Sequence, residues 1–175
     1  MNFHELILRR QSCRSFDETR DVEEEKIRKI MESAILAPSA CNGQPYHFTV
    51  CRGESAKKVA ITSTDAGNNL FSSKAPVVIV VSEEPYVERA GYGAKVKNND
   101  YRSMDIGLAT AHLILAAEDA GLATCIIGWF DNEKVKEICN VSGDIRLLIL
   151  LGYAENTIVR KKVRKDYDTL VSYVE

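Results

Sequence analysis

The segment Ala75–Ser82, APVVIVVS, is the part of this chain that most limits its fold. Five consecutive β-branched residues, Val77 to Val81, favour a strand, and the lack of polar alternation predicts one buried on both faces. A strand with no wet face has to be flanked by other strands and covered by helices. The rest of the chain supplies both. YHFTVC from Tyr46, TCIIG from Thr124 and IRLLILLGY from Ile145 read as three further short strands.

Helical patterns lie between them. In DVEEEKIRKIMESAILAP, Asp21 is the expected N-cap, with Glu24 at capping-box spacing. Ile27, Ile30, Met31, Ala34 and Ile35 then share one face, and Pro38 disfavours helical geometry at Ala37. Tyr101 to Ala120 reads as a long helix, apolar almost all round from Ile106, with Gly121 as a left-handed C-terminal cap. Gly107 and five alanines along it permit close packing, at a domain centre or a subunit interface. A short helix is expected near Asn132 to Cys139. The predicted order is helix, helix, strand, helix, strand, long helix, strand, helix, strand, tail, in one domain spanning 1–175. The tail from about residue 156 starts basic and ends amphipathic, suited to packing on its own subunit or reaching a partner.

With 45% hydrophobic and 27% charged residues and a net charge of −2, the chain reads as soluble and globular, without the basic excess of a nucleic-acid binder. The cluster Arg160–Lys165, RKKVRK, is a solvated basic face with no aromatic stripe among its cations. Five cysteines without a C-x-x-C pair fit reduced thiols in a cytoplasm. No run approaches the ~20 apolar residues that span a bilayer, and His4, His47 and His112 lack metal-ligand spacing. A cytoplasmic protein without metal, membrane or nucleic-acid partner is therefore expected.

Several residues could carry chemistry. Arg10, Ser12 and Arg14 alternate in RRQSCRSF, so an extended backbone aims them one way. Two guanidiniums and a hydroxyl suit a phosphate, and a basic turn after a helix is the other reading. In APSACNGQPYHF, eight residues from Pro38 to Pro45 carry no charge. Asn42 and Gln44 offer amides for a flat heterocycle, Gly43 allows close backbone approach, and a plain Asn-Gly turn is the alternative. Gly128 ends an apolar strand, Asn68 and Asn69 precede one, and Asp105 needs a partner if the helix buries it. G-x-G-x-x-G, G-x-x-x-x-G-K-[ST] and G-x-S-x-G motifs do not occur.

Taken in order, these segments resemble the nitroreductase family of flavin enzymes. RRQSCRSF is similar to its Arg-x-Ser-x-Arg segment and APSACNGQPYHF to its Pro-Ser-x-x-Asn-x-Gln-Pro loop. NNLFSSKAPVVIVV, MDIGLATAHLILAAEDAGLATCIIGWF and LLILLGYAENTIVRKK match later blocks in the same order. The resemblance implies an α+β fold, a central mostly antiparallel sheet flanked by helices, in an intertwined homodimer with FMN at the interface. Arg10, Gln11, Ser12, Arg14 and Arg160 would serve the phosphate and neighbouring groups. Pro38, Ser39, Ala40, Asn42 and Gln44 would come from the other subunit to line the ring. Ile127 and Gly128 would lie near flavin N5, with Gly128 offering its N–H there, and Asn68 or Asn69 would touch the ring's polar edge. NAD(P)H would be the electron donor and an electron-poor small molecule, nitroaromatic or quinone, the acceptor. Other readings of the same architecture are dehalogenation or dehydrogenation of a dedicated metabolite, or FMN binding without turnover. Gln11, Cys13, Ser15 and Phe71 depart from common family forms, and the stretch between Ser82 and Asp105 leaves little room for a helical excursion.

Overall fold

The computed structural model describes residues 1–175. Its elements are α1 (Phe3–Arg9), α2 (Glu24–Ile35), β1 (Tyr46–Arg52), α3 (Gly53–Ile61), β2 (Val77–Glu83), α4 (Glu88–Lys97), α5 (Tyr101–Asp119), β3 (Ala123–Ile127), α6 (Asn132–Cys139), β4 (Ile145–Gly152) and α7 (Tyr167–Leu170). The four strands form one sheet in the order β1-β2-β4-β3, every neighbouring pair antiparallel.

As the unbroken apolar run requires, β2 sits inside this sheet with Val77 to Val81 fully buried. Its alternate side chains serve two cores. Val77, Ile79 and Val81, with Ile149 and Leu151 of β4, pack under α2 and α5. Val78 and Val80, with Leu148 and Leu150, face Ala56, Val59 and Val135 from α3 and α6. The result is an α+β fold of helix, sheet and helix layers. Glu83 at the end of β2 pairs with both Arg102 and Arg146, and Arg146 Nη2 donates to Ser103 Oγ at 2.6 Å, tying the start of α5 to that end of the sheet.

Three local expectations change. Asp21 does not cap α2: Glu23 is the N-cap, without a side-chain cap bond, because its carboxylate accepts from Tyr153 Oη at 2.7 Å. Val22, fully buried, and Arg52 Nη2 donating to the Val22 carbonyl at 3.0 Å hold the preceding chain extended. Ile35 does not join Ile27, Ile30 and Ala34 in the core and is 56% exposed at the helix end, followed by Leu36 at 79%. Between Ser82 and Asp105 there is room for a helix after all, α4. It buries Ala90 alone and contains Gly91 and Gly93, so it carries almost no apolar period to read. The long helix behaves as expected, and Gly121 takes the left-handed conformation, φ 75°, at its end.

Leu113 is fully buried in the core under α5. Leu113→Ala should lower unfolding free energy by about 2–5 kcal/mol in urea titration, through lost burial and the cavity left behind.

Candidate functional site

After α1 the chain turns extended and adds to the free edge of β3. The Cys13 N–H donates to the Thr124 carbonyl at 2.8 Å, and Asp17 N–H donates to that of Tyr153 at 2.9 Å. Burial of Cys13 and Phe16 anchors this segment, leaving Ser12 and Arg14 on either side of Cys13 toward the surface. A single parallel bridge of Ser12 to Thr124 sets the segment that holds Ser12 and Arg14 against this edge, and Arg10 precedes it as the C-cap of α1.

The tail then crosses over the same segment. Gln11 Nε2 donates to the Ile158 carbonyl at 2.6 Å, and Gln11 Oε1 accepts from Arg160 Nε at 3.0 Å and Arg160 N at 3.1 Å. Arg160 Nη2 also donates to the Ser12 carbonyl, and Lys162 Nζ to that of Arg10. Gln11 is therefore a clamp that carries Arg160 to Ser12. Lys162, absent from the expected set, stands beside Arg10, and its only earlier signal was membership of a basic cluster.

Charges crowd this corner. Partial burial, then the charges of Arg10 and Arg164, hold Lys162 below its ordinary pKa, with Arg160 adding to this and Glu118 opposing it. The buried Cys125 thiol is pushed up by desolvation and by Cys13, while the charges of Arg14, Arg160 and Arg10 pull it back. Arg10, Arg160, Arg164 and Lys162 held this close together suit an anion, with Glu118 and Asp119 as the acidic groups of the same corner. A cavity of about 590 Å³ runs along it, lined by Gln11, Ser12, Arg14, Arg160, Arg20 and Tyr153 among others.

Further along, the Arg14 guanidinium lies 6.0 Å from the centre of the Phe71 ring, which brings the Asn68–Phe71 segment to the same edge. Asn69, at φ 47°, donates through Nδ2 to the Ser63 carbonyl at 3.3 Å, and Asn68 Nδ2 donates to that of Asp65 at 3.1 Å. Both amides brace their turn. At the far end of β3, Ile127 is buried in the core and Gly128 is exposed, with nothing within 4 Å of where its Cβ would be. Thr124 and Gly128, four residues apart, are separated by about 13 Å at the strand rise. Beside Gly128 lies a wider groove of about 1060 Å³ lined by Thr62, Asp65, Trp129, Phe130 and Lys134.

The uncharged loop is elsewhere. It leads into β1, at the opposite edge of the sheet. Cys41 (φ 53°), Asn42 (φ 53°) and Gln44 (φ 44°) are left-handed without being glycine, a strained run of the kind found at binding sites. Gly43 has negative φ and is required for space: its Cβ would lie 3.1 Å from both the Ala40 carbonyl oxygen and Val87 Cγ2. Gln44 N–H donates to Ser39 Oγ at 3.0 Å, and Gln44 Nε2 to Asn42 Oδ1 at 2.9 Å. Asp105 holds the loop from beneath. Only 4% exposed, it accepts from Ala40 N–H at 3.0 Å through Oδ1. Its Oδ2 and the hydroxyl of Tyr46 have no partner, and burial and the Asp105 charge raise the Tyr46 pKa.

Arg10, Gln11, Ser12, Arg14, Asn68, Asn69, Ile127, Gly128 and Arg160 thus gather along the β3 edge, while Pro38, Ser39, Ala40, Asn42 and Gln44 gather at the β1 edge. Three strand spacings, about 14 Å, separate the two within one chain.

Fold and site together define an α+β protein with a cation-rich corner and an open backbone position at two ends of one edge strand. Comparison with known proteins is specific. A sequence profile described as the nitroreductase family matches residues 7–64 and 56–153. A protein of Archaeoglobus fulgidus, provisionally named an NADH dehydrogenase/NAD(P)H nitroreductase, is 31% identical over 162 residues, 93% of this chain and 83% of that one. The oxygen-insensitive NADPH nitroreductase of Helicobacter acinonychis is 26% identical over 85% of each chain. The crystal structure of a nitroreductase family protein from Streptococcus pneumoniae TIGR4 superposes with a TM-score of 0.83 at 25% identity, covering 99% of this chain and 100% of the other. An FMN-dependent nitroreductase from Clostridium difficile R20291 shares the fold, with a TM-score of 0.75 at 24% identity over 97% and 98% of the two chains. The chain belongs to the nitroreductase family.

Asp105→Ala leaves the Ala40 N–H without its buried acceptor and should cost about 1–3 kcal/mol in urea unfolding. Asp105→Asn keeps an acceptor oxygen and should cost less in the same titration.

Proposed function

We propose that this protein is an FMN-dependent NAD(P)H oxidoreductase that passes electrons to an electron-poor small molecule such as a nitroaromatic or quinone. The observation that carries this reading is the strand edge itself. Arg10, Arg14, Arg160 and Lys162 lie at one end of β3, where partial burial and then the charges of Arg10, Arg164 and Arg160 lower the Lys162 pKa, and the bare backbone of Gly128 stands at the other end. A phosphate-bearing cofactor with a long arm and a flat ring fits that division. Arg10, Ser12, Arg160 and Lys162 would hold the phosphate, where paired N–H donors match its oxygens. Arg14, seated by Phe71, would place positive charge toward the ring's polar edge near Asn68 and Asn69. Gly128 N–H would point at the redox-active nitrogen. Bound FMN supplies hydride acceptance and donation, which no side chain here needs to perform.

The second half of the reading is a homodimer in which each site is completed by the partner's uncharged loop. Support comes from the sheet, which sets that loop about 14 Å from the cationic edge of its own chain. Phe3, Leu8, Ile35, Leu36, Met104 and Leu108 are exposed, an apolar surface that a second copy would cover. Ser33 and Ala40 touch His112 and Asp105, so Ile35 and Leu36 flank the same stretch of α5 as Leu108. The tail from residue 156, with Val163, Tyr167, Leu170 and Tyr173 exposed, would reach across to the partner. Donor and acceptor would use the vacated space over one ring in turn, giving parallel lines in double-reciprocal plots; intersecting lines would count against it. Free thiols at all five cysteines fit a cytoplasmic location, and no helix is long and apolar enough to cross a membrane.

Purified protein should show flavin absorption bands after addition of FMN, bleached by NADH or NADPH and restored by an acceptor. Absence of bands and of FMN binding would overturn the proposal. Arg10→Ala combined with Arg14→Ala should weaken FMN binding about 10- to 100-fold by fluorescence titration, since a charged hydrogen bond to the phosphate and the cation near the ring's polar edge are both lost.

The shared site has its own test. Mixed dimers of the Arg10→Ala/Arg14→Ala subunit with an Ala40→Arg subunit should bind one FMN per dimer with the affinity of the unaltered protein, while both homodimers bind only with weakened affinity. Failure to recover binding in the mixture would place the site within one subunit.

A further inference from the structure

Five cysteines are free, and their surroundings differ. Cys13 directs its thiol to the Ser15 carbonyl at 3.2 Å and Cys125 to that of Ile126 at 3.9 Å, while Cys41 lies exposed in the uncharged loop. Cys51 and Cys139 alone are set against each other. Their sulfurs are 3.7 Å apart although the residues are 88 positions apart in sequence.

We propose that Cys51 and Cys139 form a dithiol site that hydrogen peroxide converts into a reversible intramolecular disulfide. Nothing in the proposed flavin chemistry uses either residue, so the inference stands apart from that reading.

The two thiols have unequal environments. Cys51, next to last in β1, is 5% exposed and packs with Ala56, Val59 and Val135. Cys139, the last residue of α6, is only partly buried, so a molecule as small as peroxide can reach it. Burial and the shared hydrogen bond raise the Cys51 pKa, and the same bond lowers that of Cys139. The accessible sulfur is therefore the better thiolate, and the buried one keeps its proton as donor.

Chemistry follows that asymmetry. The Cys139 thiolate attacks one peroxide oxygen, the O–O bond breaks, and the departing hydroxide takes a proton to become water, leaving a sulfenic acid. The Cys51 sulfur then attacks the Cys139 sulfur as its proton is lost. The S–S bond forms, the S–O bond breaks, and a second water leaves. Two thiols lose two electrons in all, and one peroxide becomes two waters. Closing from 3.7 Å to a bond length of about 2.0 Å asks for a small shift, which the end of α6 can supply. Asn140, at φ 52°, already breaks the helix there.

The bond would tie the edge strand β1 to the helix that follows the Gly128 turn. Exposure to excess thiol would release it.

The test uses the full-length protein, treated with hydrogen peroxide, denatured, labelled with N-ethylmaleimide and digested without reductant. The expected result is one linked peptide pair joining Cys51 to Cys139, unlabelled at both, which dithiothreitol resolves into two free-thiol peptides that a second addition of N-ethylmaleimide labels. Cys139→Ser and Cys51→Ala should each abolish the pair, and Cys41→Ser should leave it intact. Full labelling of Cys51 and Cys139 after peroxide, a bond from either to another cysteine, or Cys139 oxidised to sulfonic acid with Cys51 still labelled would each overturn the proposal.

Discussion

Everything else in this molecule depends on two strands that have no wet face. β2 and β4 are buried on both sides, their alternate residues feeding separate cores under α2 and α5 and under α3 and α6. Helices must therefore cover both faces of the sheet, and the middle of the sheet is closed to ligands. Only the edges β1 and β3 remain for function. Each has acquired a different chemistry: small neutral groups on strained backbone before β1, and cations beside β3.

Separation of the edges keeps the neutral loop and the cationic segment apart within one chain. The loop with left-handed Cys41, Asn42 and Gln44 is held by Asp105 from the central helix through the Ala40 N–H. The cationic segment is built differently. Its segment is stitched to β3 by main-chain bonds, and Arg160 and Lys162 arrive from the tail through Gln11 and the Arg10 carbonyl. A net charge of −2 conceals this concentration, because the acidic residues that balance it lie mostly elsewhere. Glu118 and Asp119 line the same cavity, and Glu118 opposes the depression of Lys162.

Much of the fold was legible. The β-branched run of β2 announced a doubly buried strand, the 3.6-residue pattern of α2 and the apolar length of α5 announced helices, and α6 fell on Asn132–Cys139 as expected. The ordered motifs pointed to the nitroreductase family that the comparisons then showed. Where local signals misled, tertiary contacts had outweighed them. Asp21 satisfied a capping pattern, yet burial of Val22 and the Glu23–Tyr153 bond set the start of α2 two residues further on. Ile35 belonged to the apolar period, yet the helix end carries it outward. Helix α4 has no strong period because one buried alanine is all it contributes to the core.

The sequence by itself determined the strands and most helices, since these follow from periodicity and turn chemistry within a few residues. It also marked Arg10, Ser12, Arg14 and the loop from Pro38 to Pro45 as unusual. The tertiary structure alone decided that these lie at opposite sheet edges, that Asp105 holds Ala40, that Lys162 joins the arginines, and that Cys51 meets Cys139. Such pairings join residues tens of positions apart, and they are set by strand order and by which face each helix buries. No local pattern of residues encodes that.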